Sequence, residues 1–220
     1  MRASDRAYER LLDEIQSGQL AAGAVLSEVG QSTRLGVSRT PLREALSRLA
    51  ADGLVVQQSP RVTVVAGIAA ADIRDLFEVR TALETTAARA AARRGDPAVF
   101  AALAEEFRAA GLDDAALDAY YALIARFDRA VDAAADNARL SAALRTVRTH
   151  LVRVRRLARD KPARLAASAA EHRLIAAAIA DADADLAASA TAVHLHNALE
   201  SALLSLEDAP RPLIPSGRTS

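Results

Sequence analysis

Apolar residues recur at helical spacing from the start of the chain. Ala7, Tyr8, Leu11, Leu12 and Ile15 mark one face of a helix over residues 4–15, and Gly18 supplies the stop. A loop containing Gly23 follows, and Ser27, in Leu26-Ser27-Glu28, stands where it can cap a short second helix reaching about Leu35, which Gly36 ends. In the third helix Ser38 occupies the N-cap position, Pro41 falls in the first turn, where its missing N–H costs little, and Leu42, Leu46 and Leu49 form the inward stripe. Gly53 then sits where a helix ends in a left-handed residue. Two β-branched runs, 54–56 and 62–65, flank Ser59-Pro60-Arg61 and predict a hairpin. Three helices followed by a hairpin predict a winged helix-turn-helix.

Residues 66–70 read as a linker, after which the alternating strand signal does not return. The remainder to Asp208 is helical in pattern, broken near Gly95-Asp96-Pro97, 111–114, Asp136-Asn137, 160–162 and 181–185. The expected fold class is mainly α. A winged helix-turn-helix over 1–66 precedes an all-helical bundle of about six helices over 71–208, large enough to enclose a pocket. The tail, 209–220, is proline-rich and polar and is expected to be disordered. No repeat of solenoid period is found.

A length of 220 residues allows two domains, each with its own core. The 28 basic and 28 acidic residues balance, so composition gives nucleic-acid binding no support and local motifs must carry it. With no cysteine, disulfides and thiolate metal sites are excluded, leaving His, Asp and Glu as metal donors. Charges run through residues 1–19 and no apolar stretch is long enough to span a bilayer. The expectation is a cytoplasmic protein with no membrane partner.

A recognition helix must turn side chains from its first turns toward base edges while hydroxyls and amides hold phosphates. Ser38, Arg39, Thr40 and Arg43 supply that chemistry, and Arg39 and Arg43, four apart, share a face at or beyond the edge of the leucine stripe. Arg61 at the hairpin tip is a candidate for a minor-groove or phosphate contact. The plainer alternative is solvated arginines paired with Glu44 or Asp52.

The segment Leu35-Gly36-Val37-Ser38-Arg39-Thr40-Pro41-Leu42-Arg43-Glu44-Ala45-Leu46, with Leu26-Ser27-Glu28 before it and Leu49 and Asp52-Gly53-Leu54-Val55 after it, resembles the GntR family of transcription regulators. The resemblance implies that Ser38, Arg39, Thr40 and Arg43 contact operator DNA. The wing departs from the family pattern, since Arg61 is preceded by Pro60 and followed by Val62 where a glycine is usual.

The second half is similar to the FCD effector domain of the FadR-type subfamily. Phe77-Glu78-Val79-Arg80, Leu83-Glu84 and Ala87-Ala88 match its opening helix; Phe127-Asp128, Asp136-Asn137, Glu171-His172 with Ile175, Ala178-Ile179 with Asp183 and Ala187, and His194-Leu195 match later landmarks. In such domains three histidines and an aspartate often hold a divalent metal that takes part in binding a carboxylate effector. Carried over, the ligands are Asp128, at a position usually histidine, His172 and His194; the aspartate position is Ile124, which cannot ligate. Zinc or a similar ion suits that set. The alternative for both histidines is a hydrogen-bonded place in the core. Arg80 is an effector-site candidate by the same resemblance, its guanidinium fork matching a carboxylate, while a pair with Glu84 one turn on is the plainer reading. His196 must face away from His194, and His150 has no matching landmark. Of the basic cluster Arg153, Arg155, Arg156 and Arg159, one of Arg153 or Arg156 is a candidate to turn inward.

The leading expectation is a repressor that binds a pseudo-palindromic operator as a homodimer and is switched by a small carboxylate effector. A helical metalloenzyme is disfavoured, since no HExxH, GxSxG or P-loop signature occurs. An effector-independent DNA binder whose helical domain only dimerises is the third reading.

Overall fold

In the computed structural model, which describes residues 1–59, 62–113, 115–157 (backbone alone for 155–157) and 162–208, the helical periods become nine helices among the described residues, with three short strands in the N-terminal part. Helix α1 (Ala3–Ser17) stops at Gly18 in the left-handed region, φ 75°. Helix α2 (Glu28–Leu35) starts with the Ser27 hydroxyl accepting the Gly30 N–H at 3.0 Å and ends at Gly36, φ 64°. Helix α3 (Arg39–Ala51) is followed by Gly53, φ 69°, a conformation costly for any side chain with a Cβ. Leu42 and Leu49 are fully buried against Leu11 of α1, Leu26 and Leu54, which forms the core of this unit. Ser38 occupies the N-cap position, but its hydroxyl makes no capping bond; only its carbonyl is used, by the Leu42 N–H at 3.4 Å.

The strands β1 (Val25–Leu26), β2 (Val55–Ser59) and β3 (Val62–Val65) form an antiparallel sheet in the order β1-β3-β2. The hairpin is present, one residue later at its start than the pattern suggested, with a register shift between Gln57 and Ser59. Strand β1 falls where a loop was expected. Two residues are too few to show alternation, and the strand exists because Val25 pairs with Val64 far along the chain. Pro60 and Arg61 lie outside the described residues, as do Asp160, Lys161 and the tail from 209.

Helices α4 (Ala70–Arg94), α5 (Pro97–Ala109), α6 (Leu117–Ala135), α7 (Ala138–Leu157), α8 (Pro162–Ala180) and α9 (Ala184–Asp208) make the bundle. Asp96 caps α5 by accepting the Ala98 N–H, and Asn137 caps α7 by accepting from Arg139 and Leu140. Helix α4 is central, packing on α6, α7, α8 and α9 through faces rich in alanine such as Ala87, Ala88 and Ala91. Phe107 sets its ring edge-on to Phe127 at 5.7 Å, anchoring α5 to α6.

Among the described residues, side chains of α1 and α7 and the turn at Gly53 join the two units. The Gln16 amide donates to the Thr149 carbonyl at 2.9 Å, Arg153 donates to the Ala66 carbonyl at 2.5 Å, and the His150 ring lies beside Gly53 at the end of α3. Of the basic cluster, Arg153 is the member whose side chain is described, and it turns inward; the side chains of Arg155, Arg156 and Arg159 lie outside the described residues. Burial, and next the charge of Arg153, lowers the His150 pKa. Among the described residues no helix is long and apolar enough to cross a membrane.

Candidate functional site

The first two turns of α3 present Ser38, Arg39, Thr40 and Arg43 to solvent while Leu42, Leu46 and Leu49 turn inward. The structure therefore places all four on the exposed side of the helix, as the spacing required. Arg43 is paired, but with neither Glu44 nor Asp52. Its Nε donates to both carboxylate oxygens of Glu28, in the first turn of α2, at 2.9 Å each. The hydrogen bond from Arg43 holds the Glu28 carboxyl below its usual range. Asp52 instead accepts from the Tyr8 hydroxyl at 2.7 Å, and burial with that bond pushes the Tyr8 pKa up to about 12. Arg39 makes no ion pair or hydrogen bond among the described residues. Helix α2 is held to α1 by Arg34, whose two terminal nitrogens grip the buried Glu14 carboxylate at 2.7 and 2.6 Å.

In the bundle, Arg80, His172 and His194 form the wall shared by two adjoining recesses of about 80 and 30 Å³. The larger is lined further by Phe77, Tyr120, Ile124, Arg164 and Ser201, the smaller by Glu84, Asp128 and Arg148. The larger holds roughly five water-sized groups, the scale of a small organic acid. A more voluminous cavity of about 460 Å³ lies at the junction of the two units, but it lacks the buried cluster of imidazoles and guanidinium.

Both histidines are oriented from behind. The Nδ1 of His172 lies 2.7 Å from the Ser168 carbonyl oxygen one turn earlier, and the Nδ1 of His194 lies 2.7 Å from a Glu171 carboxylate oxygen. A carbonyl and a carboxylate can only accept, so Nδ1 of each ring carries a proton. The two ring centroids are 4.4 Å apart, and His172 stacks on Phe107 at 5.0 Å. Burial, and next the positive charge of Arg80, lowers the His194 pKa against the pull of Glu171.

Glu171 is the hub behind this wall. It accepts from His194, from both terminal nitrogens of Arg164 at 2.8 and 2.7 Å, and from the Asn197 amide at 2.8 Å. Burial raises its pKa, but these donors outweigh that and bring it to about 2. Arg80 is almost wholly buried. Its Nε donates to Glu84 at 2.8 Å and its guanidinium lies over the Phe77 ring at 4.5 Å, so it is both a partner of Glu84 and a wall of both recesses.

The metal set inferred from resemblance is not assembled. Asp128 faces the Arg148 guanidinium at 3.7 Å, Arg148 also grips Asp132 at 2.5 Å, and Ile124 is buried at the position of the fourth ligand. Among the described residues no three His, Asp or Glu side chains form a group able to hold an ion. Around the smaller recess the Arg80 and Arg148 guanidinium groups face the Glu84 and Asp128 carboxylates, with the two imidazoles beside them. His196 is exposed, and His150 belongs to the domain junction.

Sequence reasoning did not single out Arg148, Arg164, Glu171, Asn197 or Ser201 as site residues. A signal existed for two of them: Asn197 and Ser201 follow His194 at helical spacing on α9. The Ser201 hydroxyl is buried with no hydrogen-bond partner, a cost of about 1–3 kcal/mol that a bound polar group would relieve.

A winged helix joined to a helical bundle with a polar interior recess defines the class: a transcription regulator that combines a DNA-reading head with a second, recess-bearing domain. Comparison with known proteins agrees. Residues 3–65 match the model of bacterial regulatory proteins of the gntR family, and residues 75–197 match the FCD domain. An HTH-type transcriptional regulator in an unstable DNA locus of Streptomyces ambofaciens is 32% identical over 86% of this chain and 80% of its own. The HTH-type transcriptional repressor RspR of Escherichia coli is 39% identical over 39% of this chain and 37% of its own. Escherichia coli McbR/YncC shares the fold with a TM-score of 0.70 at 19% identity, covering 94% of this chain and 99% of its own. A GntR regulator of Rhodococcus sp. RHA1 does so with a TM-score of 0.66 at 24% identity, covering the same shares. The chain belongs to the gntR family of bacterial regulatory proteins and carries an FCD domain, and that family consists of transcriptional regulators rather than enzymes.

Proposed function

We propose that this regulator is a repressor that binds a pseudo-palindromic operator as a homodimer and is switched by a small carboxylate held in the FCD recess. Residues 1–66 would read DNA, and 71–208 would bind effector and dimerise. Arg39 and Arg43 are assigned to base edges, where an arginine can bond guanine N7 and O6 together, and Ser38 and Thr40 to phosphates. Arg61 is assigned to the wing contact implied by the family resemblance. The relative named as a repressor supports the sign of regulation.

The carrying observation for the effector class is the convergence of the Arg80 guanidinium and the two oriented imidazoles on one buried wall. The Arg80 Nη1 makes no hydrogen bond among the described residues, and a carboxylate would accept from it; a bond from His194 Nε2 to the same carboxylate requires that ring to take up a proton as the anion binds. In this reading the anion is held directly by the protein and no divalent metal is used; Asp128 orients Arg148 instead of ligating.

The test is DNA binding by full-length protein to a duplex obtained by selection from a randomised pool. Arg39→Ala and Arg43→Ala should abolish discrimination between that duplex and a shuffled one. A panel of small mono- and dicarboxylates should contain a member that changes wild-type affinity and has no effect on Arg80→Ala. Unchanged binding in both arginine variants would sink the DNA-reading face, and a panel without effect would sink the carboxylate assignment.

A further inference from the structure

Arg43 does not stand alone on the reading face. Glu28 lies in the first turn of α2, where the Ser27 cap fixes the backbone and the amide ends of the helix favour a carboxylate. From there it takes the Nε of Arg43, one turn into α3, with both oxygens at 2.9 Å, while Nη1 and Nη2 of Arg43 make no hydrogen bond among the described residues. The Arg43 side chain is two-thirds exposed and Glu28 about a quarter, so the pair sits on the surface of the helix-turn-helix, at a recess it shares with Ser47, Gln57 and Thr63. Arg39 also lies close enough for its charge to favour the Glu28 carboxylate.

We infer that Glu28 is the positioning residue for base reading: it grips Arg43 from the Nε side, so that the two terminal nitrogens meet guanine N7 and O6 end-on. A long arginine side chain free in solvent must lose rotamer freedom when it binds, and a carboxylate that already holds it removes part of that cost from the specific complex. The same carboxylate repels phosphate. It therefore raises discrimination without raising non-specific affinity, and shapes which duplex is chosen rather than how tightly any duplex is held. The inference rests on the proposed role of Arg43 as a base reader.

The experiment compares full-length wild-type, Glu28→Gln, Glu28→Ala, Arg43→Ala and the double variant Glu28→Ala/Arg43→Ala. Each is titrated with the selected duplex, with the same duplex carrying single G·C to A·T changes, and with a shuffled duplex, at two salt concentrations. Thermal melting confirms that each variant is folded, and Glu28→Gln, which keeps one acceptor oxygen, guards against a folding defect in Glu28→Ala. Glu28→Ala should lose roughly tenfold of the discrimination at the one G·C pair to which Arg43→Ala is also insensitive, within the range a bidentate contact supplies. Its affinity for the shuffled duplex should be equal or higher, Glu28→Gln should be intermediate, and the double variant should be no worse than Arg43→Ala. Wild-type discrimination in Glu28→Ala together with a loss in Arg43→Ala would overturn the positioning role alone. Equal losses on selected and shuffled duplexes would reduce Glu28 to a structural residue and overturn it too. Wild-type discrimination in Arg43→Ala would overturn the base-reading assignment itself, and the inference with it.

Discussion

His194 and Glu171 meet at 2.7 Å across the α8–α9 interface, and the carboxylate that orients the imidazole is itself held by Arg164 and Asn197. The ring can thus present one defined nitrogen to the recess without moving.

Glu171→Ala should destabilise the FCD domain by about 2–3 kcal/mol, because it leaves Arg164, Asn197 and His194 without their shared acceptor. Chemical denaturation monitored by far-ultraviolet circular dichroism measures this. A change within error of zero would mean water replaces the carboxylate at no cost.

The pH dependence follows from two lowered pKa values. The His194 pKa lies below 6.5 in the folded protein, so between that value and 6.5 the unfolded chain binds a proton that the folded one refuses. Stability contributed by the neutral ring is present above 6.5 and is lost as pH falls through this window. For Glu171, about 2 when folded against 4.5 in an unperturbed chain, stability is present above 4.5 and is lost as pH falls toward 2. Melting temperatures across this range should therefore show two losses, with the first reduced in His194→Gln. Identical profiles for wild-type and His194→Gln would contradict it.

Protein purified without chelator or nickel resin, then equilibrated with zinc and desalted, should retain no stoichiometric metal by elemental analysis. About one equivalent per protomer, lost in His172→Ala and His194→Ala, would restore the ligand set of Asp128, His172 and His194.

Leu49→Ala, at a fully buried position between α1 and α3, should cost about 2–5 kcal/mol and lower affinity for every duplex alike. Arg153→Ala should leave that core intact but release Ala66. Faster limited proteolysis in residues 66–70 with unchanged melting of the separate cores is the expected pattern.

Elements whose stabilising partners lie within one or two turns were legible in the chain. Leu42, Leu46 and Leu49 announce α3, Ser27 announces the start of α2, and Arg80 with Glu84 announces its own ion pair. Strand β1 was not legible, because Val25 is a strand residue only by virtue of Val64. Ser38 shows a limit of local reading: the residue type and position are right for a cap, and the hydroxyl is still not used as one. The partner of Arg43 was missed for a similar reason, since Glu28 lies on another helix and the nearer acids Glu44 and Asp52 were the obvious choices. Glu171 as a hub depends on Arg164, His194 and Asn197 arriving from two helices, which spacing along one helix does not reveal. Resemblance supplied Asp128 as a ligand, and only geometry shows it facing Arg148.

Helix α7 carries Arg148 at the smaller recess and Leu151 at the larger, and within the same turn and a half it carries Thr149, His150 and Arg153 at the junction with the DNA-reading unit. From Ala138 to Leu157 it contains neither glycine nor proline, so it has no natural point at which to bend. A rod of this kind conveys a twist applied at one flank to the other. Thermodynamic reciprocity then sets the terms: whatever free energy a molecule in the recess spends on turning this rod against the operator-bound pose, the operator must return in equal measure by loosening that molecule's hold.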